Sequence, residues 1–371
     1  MTPRILFNMP SQFAGHPSGV ARMAFRLLEE LIEIGGYRYV LRSPWTRDQL
    51  PRSLQLELTG VIVVPRPRIL VLDVIQQRLT LPGLVRREKI DLVVNVDPFG
   101  AAAGANSRLT IVHDLYFKRL PEHFSWRARL TNDLIYRFTL VGKTEIVSVS
   151  NATQFDLEQF YPATRGHITT IHSAPLLLSD ERRPTHSPIG GRYILAVGNA
   201  TENKNFHVLA EAMVALHETD PDVTLVHVGA DNSETMARSF ERHRCPIRLV
   251  RFAGIEDCEL AALYHHASCL CVPSLAEGFC LPILEAQICS CAVICSDRSA
   301  MPEIAGQGAI LFDPTDPADL ARNLKRLLDN PVEHARLTQL GRDNAARFSW
   351  NATARKYLGV FDRLLADRAS G

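Results

Sequence analysis

The chain has 371 residues, 46% of them apolar and 22% charged, with a formal net charge of +1 at pH 7. That length fits two domains with cores of their own, and the composition excludes a disordered chain and a nucleic-acid binder, which needs a basic excess. No apolar run approaches the roughly 18 to 20 residues of a membrane-spanning helix, and Ile5-Leu6-Phe7 is too short for the apolar core of a signal peptide, so a cytoplasmic location is expected. The charge is uneven: residues 1–180 hold 21 Lys+Arg against 16 Asp+Glu, and residues 181–371 hold 20 against 24. All eight cysteines fall between Cys245 and Cys295 with no CxxC pair, which points to reduced, partly buried thiols and to no metal site.

In chain order, Arg4–Met9 reads as a buried strand, Ser11–Gly19 as a glycine-containing loop and Val20–Ile34 as an amphipathic helix. Further strands at Arg38–Arg42, Val61–Val64, Asp91–Val96, Leu109–His113 and Glu145–Val149 alternate with helical or irregular segments, the pattern of a parallel sheet. Leu70–Lys89 is apolar and surrounded by Arg66, Arg68, Arg78, Arg86, Arg87 and Lys89. A solvated helix face is the first reading of it, and contact with anionic lipid headgroups the second. His113 stands at the carboxyl end of a parallel strand, where open α/β sheets bind ligands. Phe124–Gly142 reads as helical, and Ser150 as the cap of the next helix.

Ser179–Gly191 turns polar, with two prolines and two glycines, and marks an interdomain linker. Domains are therefore expected at 1–183 and 184–371. A second alternating series follows: strand Tyr193–Val197, helix Asn205–His217, strands Val223–Val228 and Ile247–Phe252, helix Asp257–His266 and strand Ser268–Val272. Lys204, just before a helix N-terminus, is placed to meet a diphosphate as a point charge. The stretch Val272–Ala286, VPSLAEGFCLPILEA, runs from a strand through a polar turn into a helix opened by Pro282. The amides of Phe279, Cys280 and Leu281 would point outward at that N-terminus and favour an anion. Glu277 and Glu285, eight positions apart, can face one cleft, and carboxylates bind sugar hydroxyls well. Taken alone, such a pair is better read as an ordinary strand-turn-helix with a capping carboxylate.

The E-x7-E pair inside EGFxLPxLEA, after VPS, resembles the signature of retaining glycosyltransferases of family 4 (GT4), which have the GT-B fold. So do Gly19, matching the last glycine of a GG-x-G loop, the segment His113-Asp114-Leu115, the SxxPEIAG run Ser299–Gly306, and Gly308–Ala321. Two departures stand out: Cys280 replaces the usual second glycine of EGFG, and Asn199 and Asn203 occupy the positions where a phosphate-binding arginine usually precedes Lys204. Arg298 is a candidate to compensate.

The resemblance implies an α/β protein of two Rossmann-like domains facing a central cleft. The N-terminal one would bind the acceptor and the C-terminal one the nucleotide-sugar, with the last helix, Trp350–Ala366, crossing back to the first. It implies catalytic roles for Glu277 on the donor sugar, Lys204 on the diphosphate and His113 beside the sugar, and ribose binding by Glu285. It implies donor contacts at Gly19, Gly198, Asn199, Asn203, Asn205, Ser274, Gly278, Phe279, Cys280 and Leu281. No metal or other cofactor is implied. The partners would be a nucleotide-sugar donor, with mannose from GDP-mannose the leading choice, and a glycan or lipid-linked saccharide acceptor in polysaccharide synthesis. The basic N-terminal half would touch an anionic membrane. Two other readings stand beside this one: a degenerate relative that binds a sugar nucleotide without catalysis, and an NAD-dependent dehydrogenase, which lacks its GxGxxG here.

Overall fold

The computed structural model describes residues 2–9, 18–64, 70–100, 107–140, 144–177, 186–231 and 234–369. Residues 11–17 of the expected glycine loop, Arg66, Arg68 and residues 179–185 of the expected linker lie outside them. The chain divides into two compact units, Met1–Ser173 with Ser349–Gly371, and Ala174–Phe348.

The first unit is built on a parallel sheet of seven strands: β1 (Arg4–Asn8), β2 (Arg38–Ser43), β3 (Gly60–Val63), β4 (Leu92–Asn95), β5 (Ser107–Val112), β6 (Thr144–Ser148) and β7 (Ile168–Thr170). Their order is β3-β2-β1-β4-β5-β6-β7. Every residue of β4 is buried, as both-face coverage by helices requires, and in register Phe7 lies between Leu41 and Val94. The second unit has six parallel strands, β8 (Tyr193–Val197), β9 (Thr224–Val228), β10 (Leu249–Phe252), β11 (Cys269–Val272), β12 (Val293–Ser296) and β13 (Ala309–Phe312), in the order β10-β9-β8-β11-β12-β13. Both orders are the doubly wound pattern, reversing once, between β1 and β4 and between β8 and β11. Ligands of such sheets bind beyond the carboxyl ends of the strands flanking that reversal.

The contacts divide at Ser173 and Ala174, before the sequence-based boundary at 183 and 184, and the closing helix Trp350–Ala369 belongs to the first unit. It packs on the helix Gly19–Ile34 and buries Ala354, Tyr357, Val360 and Phe361 there. Thr353 donates to the carbonyl of His172 at 2.8 Å, and Phe361 meets Tyr37 edge to face at 6.1 Å. β7 and β13 were not read as strands: β7 has only three residues, too short a pattern, and β13 lies inside the Gly308–Ala321 run, which was read as a motif. The cysteines are all free thiols. Cys269, Cys271 and Cys295 lie in the interior of the second sheet, and burial pushes the Cys269 thiol up to about 12. Among the described residues no group of three His, Cys, Asp or Glu side chains is arranged to hold a metal, and no helix is long and apolar enough to cross a membrane.

Candidate active site

In the second unit, β8 delivers Gly198 to the reversal point. Gly198 has φ +128°, and a Cβ there would stand 3.1 Å from both Cε and Nζ of Lys204, so the lysine side chain crosses directly over it. The same glycine is held from the opposite direction. His227 Nε2 donates to its carbonyl at 2.8 Å, and at Gly229, φ +151°, a Cβ would come within 2.2 Å of that oxygen. Glu202–Lys204 then form a single 3-10 turn and Asn205 takes the left-handed conformation, φ 57°, before the helix Phe206–His217.

The three asparagines of this loop turn to the backbone. Asn199 Oδ1 accepts from the Ala230 amide at 3.0 Å, Asn203 Nδ2 donates to Ala276 O at 3.2 Å, and Asn205 Nδ2 donates to Pro273 O and Pro314 O at 2.9 and 2.8 Å. The Leu275 amide completes the tie by donating to Asn203 O at 2.8 Å. The bonds to Ala276, Pro273 and Leu275 tie the β8 loop to the β11 loop, and those to Ala230 and Pro314 tie it to the loops after β9 and β13. Asn203 and Asn205 are buried, so breaking these bonds would be costly and the loops are held relative to each other, although Oδ1 of Asn205 is buried with no hydrogen-bond partner among the described residues.

β11 leads into the acidic turn. Glu277 Oε1 accepts from Lys204 Nζ at 2.7 Å and from Ser274 Oγ at 2.7 Å. The lysine and glutamate side chains are 16% and 13% exposed, a mostly buried ion pair whose geometry is set by a third group. Ser299, from the loop after β12, donates to Glu277 O at 2.6 Å. Cys280 follows with φ 73°, ψ 64°, which explains why a glycine suits this position: an L side chain is disfavoured there. Its thiol is buried, and burial first, then the Glu277 carboxylate, hold it well above the usual thiol range. The helix Leu281–Ile288 opens here with Pro282 in its first turn and no side-chain cap, an end whose dipole favours negative charge. Three left-handed non-glycine residues, Asn205, Cys280 and Ser299, thus lie in the loops that frame Lys204 and Glu277, a concentration of backbone strain typical of functional sites.

Glu285 sits one turn into that helix, in different surroundings. It is 5% exposed, and Oε2 accepts from the Tyr264 hydroxyl at 3.1 Å. Tyr264 comes from the helix Asp257–His266 and is fully buried; burial first and the Glu285 carboxylate second raise its phenol pKa. The two motif glutamates are therefore held by different partners, one by a cation and one by a phenol.

His113 and Gly19 belong to the first unit. Gly19 opens its helix after the Ser18 cap, and among the described residues nothing lies within 4 Å of where its Cβ would be. His113 Nε2 is 2.8 Å from Val96 O; because a carbonyl only accepts, Nε2 carries the hydrogen and Nδ1 the lone pair. Burial lowers the imidazole to about 4, against a smaller opposing effect of that bond, so it is neutral at pH 7. It lines a cavity of about 390 Å³ with Val20, Asp97, Phe99, Asp114 and Tyr136.

Two family models match the chain. The one described as "Glycosyltransferase Family 4" matches residues 17–174, and the one described as "Glycosyl transferases group 1" matches residues 179–344. The chain belongs to the family 4 glycosyltransferases. The MMP alpha-(1->4)-mannosyltransferase of Mycolicibacterium hassiacum is 31% identical over 228 residues, 60% of this chain and 54% of that protein. The serotype-specific mannosyltransferase WbdA of Escherichia coli is 30% identical over 178 residues, 47% of this chain and 22% of that one. The alignments thus span about half and about a fifth of these curated relatives. Among solved structures, sucrose-phosphate synthase from Thermosynechococcus elongatus superposes with TM-score 0.77 at 18% identity, covering 99% of this chain and 100% of that one, which establishes the shared GT-B fold.

Membership of this glycosyltransferase family sets the dehydrogenase alternative aside. Within the family, this chain's departures now have places. Cys280 occupies a left-handed position, and Asn199 and Asn203 are loop braces. Arg298 is half exposed, with its guanidinium on Asp297 at 2.9 Å and Asp313 at 3.2 Å, so two carboxylates already balance its charge. Sequence reasoning named Ser299 only as part of a motif and passed over Tyr264. The place of Ser299 at the start of the SxxPEIAG run was a usable signal, whereas a tyrosine inside an ordinary helical pattern gave none.

Proposed function

We propose that the protein is a retaining, metal-independent glycosyltransferase that moves a hexose, mannose from GDP-mannose in the leading reading, to a glycan or lipid-linked saccharide in polysaccharide synthesis at the cytoplasmic face of a membrane. The observation that carries it is the Lys204–Glu277 pair at the carboxyl ends of β8 and β11, beside the uncapped helix at Leu281. A diphosphate binding there meets the lysine and the helix amides together. As the anomeric bond breaks, negative charge grows on the phosphate and positive charge on the sugar. Lys204 and the amides stabilise the first, and Glu277, bonded to sugar hydroxyls, the second. Glu285, oriented by Tyr264, holds the ribose. His113 offers the lone pair of Nδ1 to a sugar hydroxyl. Retention follows if the departing phosphate takes the acceptor proton on the face it leaves, with no carboxylate nucleophile required.

The choice of mannose is supported by the names of the two relatives, and the α linkage in the first suits retention from an α-configured donor. The test is turnover of GDP-mannose with saccharide acceptors in EDTA, with the product anomer read by NMR. Glu277→Gln should lower kcat by a factor on the order of 10², about 2.7 kcal/mol of transition-state stabilisation, while donor binding changes less. A β product or loss of turnover in chelator refutes that part of the reading. Neither transfer nor donor hydrolysis across a panel of nucleotide-sugars would leave the degenerate, non-catalytic alternative.

A further inference from the structure

On one face of the first sheet, Leu6, Val40 and Val93 pack in an apolar cluster with Leu81 and Val85 of the helix Leu70–Arg87. Two residues further along each strand the same face turns polar: Asn8, Arg42 and Asn95, with Thr110, stand in register across β2, β1, β4 and β5. Asp73 and Gln77, on the helix turns before Leu81, meet this row. Asn8, Asp73, Gln77, Asn95 and Thr110 are fully buried, and Arg42 is 3% exposed. The interior of a parallel sheet is ordinarily aliphatic, and apolar residues in place of buried charges are often as stable or more so. Stability is therefore a poor reason for six buried polar residues. Arg42 Nη2, buried with no hydrogen-bond partner among the described residues, adds to their cost.

The bonds of the row run one way. A guanidinium only donates, and Arg42 Nη1 gives its hydrogen to Asn8 Oδ1 at 2.9 Å. Asn8 Nδ2 then donates to Gln77 Oε1 at 2.9 Å and to Asn95 Oδ1 at 2.8 Å, and Asn95 Nδ2 donates to Thr110 Oγ1 at 3.3 Å. Gln77 Nε2 ends the series on a carboxylate and a carbonyl oxygen, Asp73 Oδ2 at 3.2 Å and Phe99 O at 3.3 Å. The orientation of every amide is thereby set, from Arg42 to the turn after β4. That turn, Asp97–Gly100, closes down on the row. The Phe99 amide donates to Asp97 Oδ1 at 2.8 Å, Thr139 Oγ1 donates to Gly100 O at 3.3 Å, and a Cβ on Gly100 would come within 2.2 Å of Asn95 Oδ1. Val96, just before the turn, takes the hydrogen of His113 Nε2, and Asp97 and Phe99 line the cavity beside His113.

We infer that Gln77 and Asn95 are positioning residues for the sugar: through the buried row they hold the Asp97–Gly100 turn, and with it Val96 O and the His113 ring, in one place beyond the carboxyl ends of β1 and β4. Neither residue touches the cavity, so each acts through the turn. The inference rests on the transfer reading for its effect on rate, and the state of the His113 ring tests it without turnover.

The test uses Gln77→Met, which keeps the side-chain length and removes both donated bonds, and Gly100→Ala, whose Cβ would push the turn off Asn95 from the other end. In NMR spectra of the full chain with nitrogen-labelled histidine, the wild-type His113 ring, assigned by its loss in His113→Gln, should be a single neutral tautomer protonated on Nε2. Both variants should shift or split that signal. In transfer assays kcat should fall about tenfold or more, because misplacement near the reacting atoms costs rate. The donor KM should stay within about twofold, since the diphosphate and ribose contacts belong to the second unit. Leu31→Ala, fully buried in the helix Gly19–Ile34, controls for lost stability and should lower the melting temperature without moving the ring signal or kcat. A wild-type ring signal in both variants, a wild-type kcat in both, or the same changes in Leu31→Ala overturns the inference and leaves the row a support of the fold. If wild type turns over no donor, the transfer reading fails while the ring signal still decides this one.

Discussion

Lys204→Ala is the most informative single change. It removes the cation from a pair 2.7 Å apart whose members are only 16% and 13% exposed, and leaves Glu277 with the Ser274 hydroxyl. Breaking a fully buried pair costs about 3–5 kcal/mol. Because this one retains some solvent and a second hydrogen bond, about 2 kcal/mol of stability should be lost. Lys204→Ala with Glu277→Gln should lose less than the sum of the single changes, since the stranded carboxylate is then gone. In ligand binding the same substitution removes one charge-assisted contact to phosphate, worth about 1.5–3 kcal/mol, or roughly 10- to 100-fold in Kd. That loss should fall on the nucleoside diphosphate and not on the nucleoside. Isothermal calorimetry with GDP and guanosine measures both. Equal weakening of the two, or none for GDP, would show that Lys204 only braces Glu277, and the assignment of the phosphate site would fall.

Three further outcomes are expected. Cys280→Gly should be about 1 kcal/mol more stable than Cys280→Ala in denaturant titrations, because both lose the thiol but only alanine keeps the cost of φ 73°; equal stability would mean the backbone relaxes. Tyr264→Phe removes the 3.1 Å bond to Glu285 and should raise the donor KM with little change in kcat, so a fall in kcat at constant KM would contradict the ribose role. His113 titrates near 4 when folded and near 6.5 when unfolded, so the unfolded chain binds more protons between those values. Stability should therefore fall as pH drops through 6.5 and level off below 4, by up to about 3 kcal/mol from this group. In His113→Gln, unfolding free energies at pH 7 and pH 4.5 should lie closer together than in wild type; an unchanged gap would mean the imidazole is not buried neutral.

The strands β1 to β6, the helix Asp257–His266, the Ser150 cap, which accepts from the Thr153 amide at 3.0 Å, and the Glu277–Glu285 motif were all legible in the sequence. Each depends on chemistry within a few residues: period-two or unbroken apolar runs, a hydroxyl before a helix, a proline in a first turn. The same local logic identified Lys204 as a phosphate ligand candidate, but could not say what it touches in the folded chain. Likewise the row Trp126, Leu130, Leu134 and Phe138 has the helical spacing that a sequence assigns to a core, yet the packed side is Ile135, Tyr136 and Thr139.

What remained was decided by contacts between residues far apart in the chain. The resemblance implied donor contacts at Asn203 and Asn205; that their amides also brace the loops follows from the carbonyls of Ala276 and Pro273, which arrive when β8 and β11 lie side by side, and from Pro314 in the loop after β13. Glu285 went to Tyr264, and Glu277 to Lys204, for the same reason. The left-handed turn at Cys280 follows from the path the chain must take between β11 and its helix, which no propensity of cysteine predicts. The closing helix joined the first unit because its buried row, Tyr357, Val360 and Phe361, found its apolar partners there. The sequence determined which segments form strands and helices and which residues carry charge, since those are properties of neighbours along the chain. Only the tertiary structure decided which charges meet and which amides are satisfied, since a buried polar group is paired by whatever the strand order brings within 3 Å of it.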